Sequence, residues 1–190
     1  MRHIHLSRTL LVFIASLLCG GNLVAAQNSG FELHANDKAS PADVGLPSYP
    51  GATLYKDSDN SATFNLGYAF GDSSFHLVGA NYITNDAASQ VLAYYRKPLS
   101  HYGDVLECKD GKPVGSLTKT RSGLTCSDQK GGHVQINGHS DANGDELRAG
   151  TPQEFRIVGI DDPKQKVKGT RFTLVYVQLP KDDDSAKDTK

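Results

Sequence analysis

The stretch Thr63–Gly103, TFNLGYAFGDSSFHLVGANYITNDAASQVLAYYRKPLSHYG, changes its apolar period partway along, and that change decides the fold class. In its first part Phe64, Leu66, Tyr68 and Phe70 alternate with Thr63, Asn65, Gly67 and Ala69, the period of two of a half-buried strand. Phe75 to Ile83 resumes the alternation after a Gly-Asp-Ser-Ser turn, so the two runs form a hairpin. Then Ala88, Val91, Leu92, Tyr95, Leu99 and Tyr102 recur at spacings of three and four, which puts one apolar stripe on one helix face. Thr84, Asn85 and Asp86 offer capping oxygens at the start of that helix, and Gly103 suits a left-handed stop. Pro98 removes a backbone donor and crowds the carbonyl of Tyr94, so the expectation is a helix over 86–97, kinked or restarted there.

Outward from this stretch the period stays at two. Val105–Cys108, Leu124–Cys126 and Val134–Ile136 read as short strands, and Phe155–Ile160 and Phe172–Leu179 as stronger ones. In the last, both alternating sets are largely apolar, which places it near the middle of a sheet covered on both faces. A lone amphipathic helix must bury its stripe on that sheet. The expected class is α+β: one antiparallel β-sheet of about 6–8 strands with a single long amphipathic helix packed on it, over residues 46–180.

The ends differ in kind. Arg2 and Arg8 precede a ten-residue apolar core, Leu10 to Cys19, and small residues follow to Ala26. That order describes a cleaved secretory signal peptide, residues 1–26, and the core is shorter than the roughly 20 residues a membrane span needs. Cys19 is a poor lipidation site because Leu18 stands where a small residue is required. Val24-Ala25-Ala26 suits ordinary cleavage between Ala26 and Gln27, so the reading is an exported chain, periplasmic or secreted, with no membrane span after processing. Residues 27–45 are poor in large apolar side chains and read as a flexible arm, and 181–190 as a disordered acidic and polar tail in which Asp182–Asp184 are solvated.

The leader carries two of the 20 basic residues and none of the 21 acidic ones, leaving a net charge of −3 with histidine neutral. That balance exerts no long-range pull on nucleic acid or anionic lipid. It also leaves two cysteines, Cys108 and Cys126, and an even count in an exported chain favours a disulfide. The intervening KDGKPVGSLTKTRSG holds three glycines and a proline, a loop that lets two strands run as antiparallel neighbours with their cysteines within bridging range.

YPGATL at 49–54, VLAYYRKPLSHYGDVLEC at 91–108 and GTRFTLVYV at 169–177 together resemble a group of uncharacterised exported bacterial proteins. Those proteins share a Tyr-Pro-Gly-Ala start, a Phe/Tyr-Tyr-Arg-Lys-x-Leu helix and a similar last strand. The resemblance spans roughly residues 46–179, concerns turns and core pattern, and implies no activity.

Candidate chemistry falls away residue by residue. FGDSS at 70–74 is similar to the nucleophile block of SGNH esterases, but no histidine follows His139 and no mature histidine has an aspartate three residues before it. DANGDE at 141–146 alternates oxygen side chains as a calcium loop does, yet Glu146 and Pro152 stand where a glycine and a bidentate acid belong. Asn143-Gly144 reads instead as a loop or hairpin turn. His133 and His139 of HVQINGH are about 20 Å apart along an extended strand, too far for one metal ion. A nucleophilic Cys108 with His101 as its base competes with the disulfide, which an oxidising compartment favours. Tyr94, Tyr95 and Tyr102 suggest a stacking platform, but at helical spacing they read as core, with no basic interleaving for nucleic acid.

The expectation is therefore a non-catalytic envelope or secreted module that binds a protein or an envelope polymer, with no cofactor and no metal. A carrier of a small apolar ligand between helix and sheet, and a hydrolase of unfamiliar design, are the alternatives. An exposed apolar patch without assembled catalytic groups is what separates the first from the others.

Overall fold

The computed structural model describes residues 32–56, 61–71, 73–126, 144–161 and 168–180. Its strands are β1 (Glu32–Asn36), β2 (Thr53–Leu54), β3 (Thr63–Phe70), β4 (Ser73–Thr84), β5 (Leu106–Lys109), β6 (Lys112–Pro113), β7 (Asp145–Gly150), β8 (Glu154–Ile160) and β9 (Thr170–Gln178). All nine join one antiparallel sheet in the order β1-β3-β4-β9-β8-β7-β5-β6, with β2 pairing on β4 beyond the end of β3. Among the described residues two helices accompany it, α1 (Pro41–Val44) and α2 (Ala88–Leu99), the latter tightening into a 3-10 turn over Ser100–Tyr102. The expected α+β architecture, one antiparallel sheet carrying one long helix, is the architecture of the molecule.

The hairpin β3–β4 turns in two residues, since Phe70 pairs with Ser73 and Gly71 takes φ +56°. In FGDSS, Gly71 is thus a turn residue and Ser73 and Ser74 start β4. β9 lies between β4 and β8, and Phe172, Leu174, Val175 and Val177 are all buried, as its two-sided apolar pattern requires.

The helix α2 contacts β7 and β8 with Val91, Leu92, Tyr95 and Leu99 turned inward onto Leu147, Ala149 and Val158. It begins one turn-position later than its apparent caps suggest. Ala87 is the N-cap residue, its N–H donating to Gln90 Oε1 at 3.0 Å, while Asp86 accepts from the Tyr49 hydroxyl at 2.8 Å. Pro98 sits in the last turn, where the missing donor falls at the point at which the helix tightens, so no kink is needed.

Two further readings change. The stretch 27–45 contains β1 and α1 from Glu32 onward: β1 pairs with β3, and Ser40 caps α1 through reciprocal bonds with Asp43 while Val44 enters the core. Leu124–Cys126 is irregular chain, and the neighbours of β5 are β6 and β7. Asp145 and Glu146, which follow the Asn143-Gly144 loop or hairpin turn of the sequence reading, start β7, whose residues Glu146–Gly150 are buried. Cys19, the Ala26–Gln27 junction, Val134–Ile136, His133, His139, Asp141, Asn143 and the tail 181–190 lie outside the described residues.

Candidate functional site

Register divides the sheet into two faces with different chemistry. One carries Val78, Ala80 and Tyr82 of β4 with Phe172, Leu174 and Tyr176 of β9, and the helices cover it. The segment from α1 to β2 is stitched to this layer by tyrosines. Tyr102 donates to the Gly45 carbonyl, Tyr95 to Pro47 at 3.0 Å and Tyr94 to Ser48 at 2.9 Å. Gly51, with φ +74°, follows Pro50 in a tight turn closed by Ala52 N–H on the Tyr49 carbonyl at 3.2 Å. Tyr49 then packs edge-on against Tyr94 and Phe172. The three tyrosines weighed as a stacking platform are engaged in packing and in these bonds, and burial pushes the Tyr95 phenol up.

Beyond the helices the same face turns polar. Arg156 lies over the Tyr102 ring at 3.7 Å and near Tyr176 at 4.7 Å, with Glu154 paired to it at 3.3 Å. Gln178 donates to Ser74 at 2.7 Å. His34, Asn65 and His76 follow on β1, β3 and β4. Nε2 of His34 is 3.2 Å and Nε2 of His76 is 2.9 Å from the same Asn65 Oδ1. Burial first, and His34 second, lower the pKa of His76, against the pull of Asp43.

The opposite face is apolar and unevenly covered. Under the chain 114–126 it is closed: Leu124 is fully buried against Leu77, Phe155, Val175 and Val177. Thr120 shapes that chain, its Oγ1 accepting from Leu124 N–H at 2.9 Å, and Ser122 donates to the Gly150 carbonyl. Cys126 is bonded to Cys108 of β5 with their Cα atoms 5.7 Å apart. The bridge therefore straps irregular chain across the sheet instead of joining two neighbouring strands, and no free thiol remains at Cys108 for His101 to activate. Nearby, Arg148 and Glu146 form a buried ion pair at 2.8 Å, and desolvation raises the Glu146 pKa despite Arg148. Glu146, weighed as part of a calcium loop, is spent in this pair.

Toward β1 the cover ends. Leu33 of β1 is 63% exposed, and Leu66 and Phe70 of β3 are 40% and 54% exposed. Register sets Leu33 opposite Tyr68, Leu66 opposite Leu77 and Tyr68 opposite Phe75, so these side chains form one strip on one face. The apolar set of β3, not its Thr63 and Gly67 set, faces outward, the reverse of a simple amphipathic strand. Phe64 closes the strip by lying over Gly79, where a Cβ would come within 2.0 Å of its ring.

Among the described residues no group of three or more His, Cys, Asp or Glu side chains is placed to hold a metal ion, and no helix is long and apolar enough to cross a membrane. Fold and surface together define a nine-stranded α+β sheet domain with one strapped apolar flank and one open apolar flank. No protein-family model matches the chain, and comparison with curated proteins and with solved structures gave no match.

Proposed function

We propose that this chain is an exported, non-catalytic binding module that grips an extended segment of a protein partner along β1 and the open apolar strip. The observation that carries this reading is the contiguous exposure of Leu33, Leu66 and Phe70 on one face at an edge of the sheet. The two sheet edges support it by contrast. β6 is two residues long and consists of Lys112 and Pro113, a lysine and a residue without a donor, as protected edges are. β1 has five residues and neither lysine nor proline, and it pairs among the described residues with β3 alone. Its outer backbone groups offer hydrogen bonds to an added strand, and Leu33 and Leu66 offer the apolar contacts that give such additions specificity.

Export rests on the signal-peptide pattern of residues 1–26, and the Cys108–Cys126 bridge fits an oxidising compartment. Against a carrier of apolar ligands stands the filling of the helix–sheet interface by Val91, Tyr95, Leu99, Leu147 and Val158, all fully buried. The test is site-specific photo-crosslinking in the cells that make the protein. A photoreactive residue replacing Leu33 or Leu66 is expected to give a discrete protein adduct, while the same residue replacing the exposed Leu117 gives none. Absence of any adduct specific to the β1–β3 positions refutes the reading.

A further inference from the structure

The polar cluster at the β1 end of the helix-side face has the geometry of a metal site. His34, Gly67 and His76 occupy one row across three strands: Gly67 pairs with His34 on one side and with His76 on the other. Two histidines two strands apart do not ordinarily meet, because the side chain of the middle strand separates them. Here the middle residue has none. A Cβ on Gly67 would lie 2.4 Å from His34 Cε1 and 2.8 Å from its Nε2, so the His34 ring occupies the space over Gly67. The two rings come to a centroid distance of 5.4 Å, edge to face, and Asn65, two residues along β3 on the same face, presents its amide oxygen to both Nε2 atoms.

We propose that His34 Nε2, His76 Nε2 and Asn65 Oδ1 form a binding site for one divalent transition-metal ion of the zinc or copper class. Bonds of about 2.0–2.1 Å, at octahedral to tetrahedral angles, put neighbouring ligand atoms about 2.8–3.4 Å apart. The two O–N separations, 3.2 and 2.9 Å, both fall in that interval. Two imidazoles and one amide oxygen select borderline ions over calcium, which takes six or more oxygen ligands. Water completes the coordination on the open side, where His34 is exposed. The site explains why a glycine stands at 67 in the middle of a strand, a position it otherwise weakens. A bound ion ties the edge strand β1 to β3 and β4. The site is independent of the apolar strip, which lies on the opposite face.

The experiment is zinc(II) titration of the full processed protein, followed by long-range proton–nitrogen NMR of the imidazoles. The expected result is that the Nε2 signals of His34 and His76 move together and reach their end point at one equivalent, with His101 unmoved. Movement of neither, or of only one of the pair, overturns the site. His34→Gln, at an exposed position that leaves the core intact, is expected to lower zinc affinity at least tenfold and to abolish the zinc-induced rise in Tm. A His34→Gln protein that keeps the parental affinity overturns it as well.

Discussion

Removing the Cys108–Cys126 bridge measures how much of the fold depends on the strap. The cysteines are 18 residues apart, and closing a loop of that size restricts the unfolded chain by about 3 kcal/mol at 25 °C. The structure adds a local term. Cys126 follows the turn Thr120–Leu124, and Leu124 is fully buried over the sheet. If the unbridged strap lifts, that leucine returns to water, at about 1.5–3 kcal/mol for the side chain. The strap lifts only when doing so gains more chain entropy than the burial is worth, so the two amounts are alternatives and the loss stays near 3 kcal/mol. For a chain of this size that corresponds to a fall in Tm of about 6–12 °C. The assay is urea unfolding of the oxidised protein beside Cys108→Ala/Cys126→Ala, read by circular dichroism. The expected pattern is a lower midpoint with an m-value equal to or larger than the parent's, since an unbridged unfolded chain is more expanded. A loss below about 1 kcal/mol refutes the reasoning, because closing this 18-residue loop would then not restrict the unfolded chain by the amount assigned to it.

Two further outcomes follow from the hydrogen bonds. Tyr95→Phe removes the buried hydroxyl that holds the Pro47 carbonyl and is expected to cost about 1 kcal/mol, whereas Tyr94→Phe, at a half-buried position, stays within about 0.5 kcal/mol; equal effects in urea unfolding would refute the distinction. Asp104 accepts from Arg121 through backbone and side chain, and these bonds hold its pKa at about 2. A carboxyl lowered on folding contributes stability that is complete above its unfolded value near 3.8 and is lost as pH falls through about 2. Asp104→Asn is therefore expected to flatten the acid side of the stability profile between about pH 4 and 2, and an unchanged slope there would refute the role.

Local periodicity carried much of the architecture. The switch from period two to period 3.6 at residue 88 is a property of neighbouring side chains, and it located the one long helix. The doubly apolar pattern of Phe172–Leu179 placed β9 inside the sheet because a strand covered on both faces has no polar side to offer. The pair Cys108 and Cys126 is bridged, but across a strap of irregular chain and not between adjacent strands.

What the tertiary structure alone decided lies in contacts between distant segments. β1 has little apolar pattern of its own and becomes a strand because β3 supplies its hydrogen-bonding partner. The face of β3 that meets solvent depends on what covers each side of the sheet: α1 and α2 lie on one, and the strap reaches only the far flank of the other. Capping oxygens stand at 84–86, but Asp86 accepts from the hydroxyl of Tyr49, which the fold brings in from another segment. The meeting of His34, Asn65 and His76 required sheet register and a missing side chain at Gly67. Spacing along the chain encodes neither, because strand pairing sets distances in the direction perpendicular to the chain.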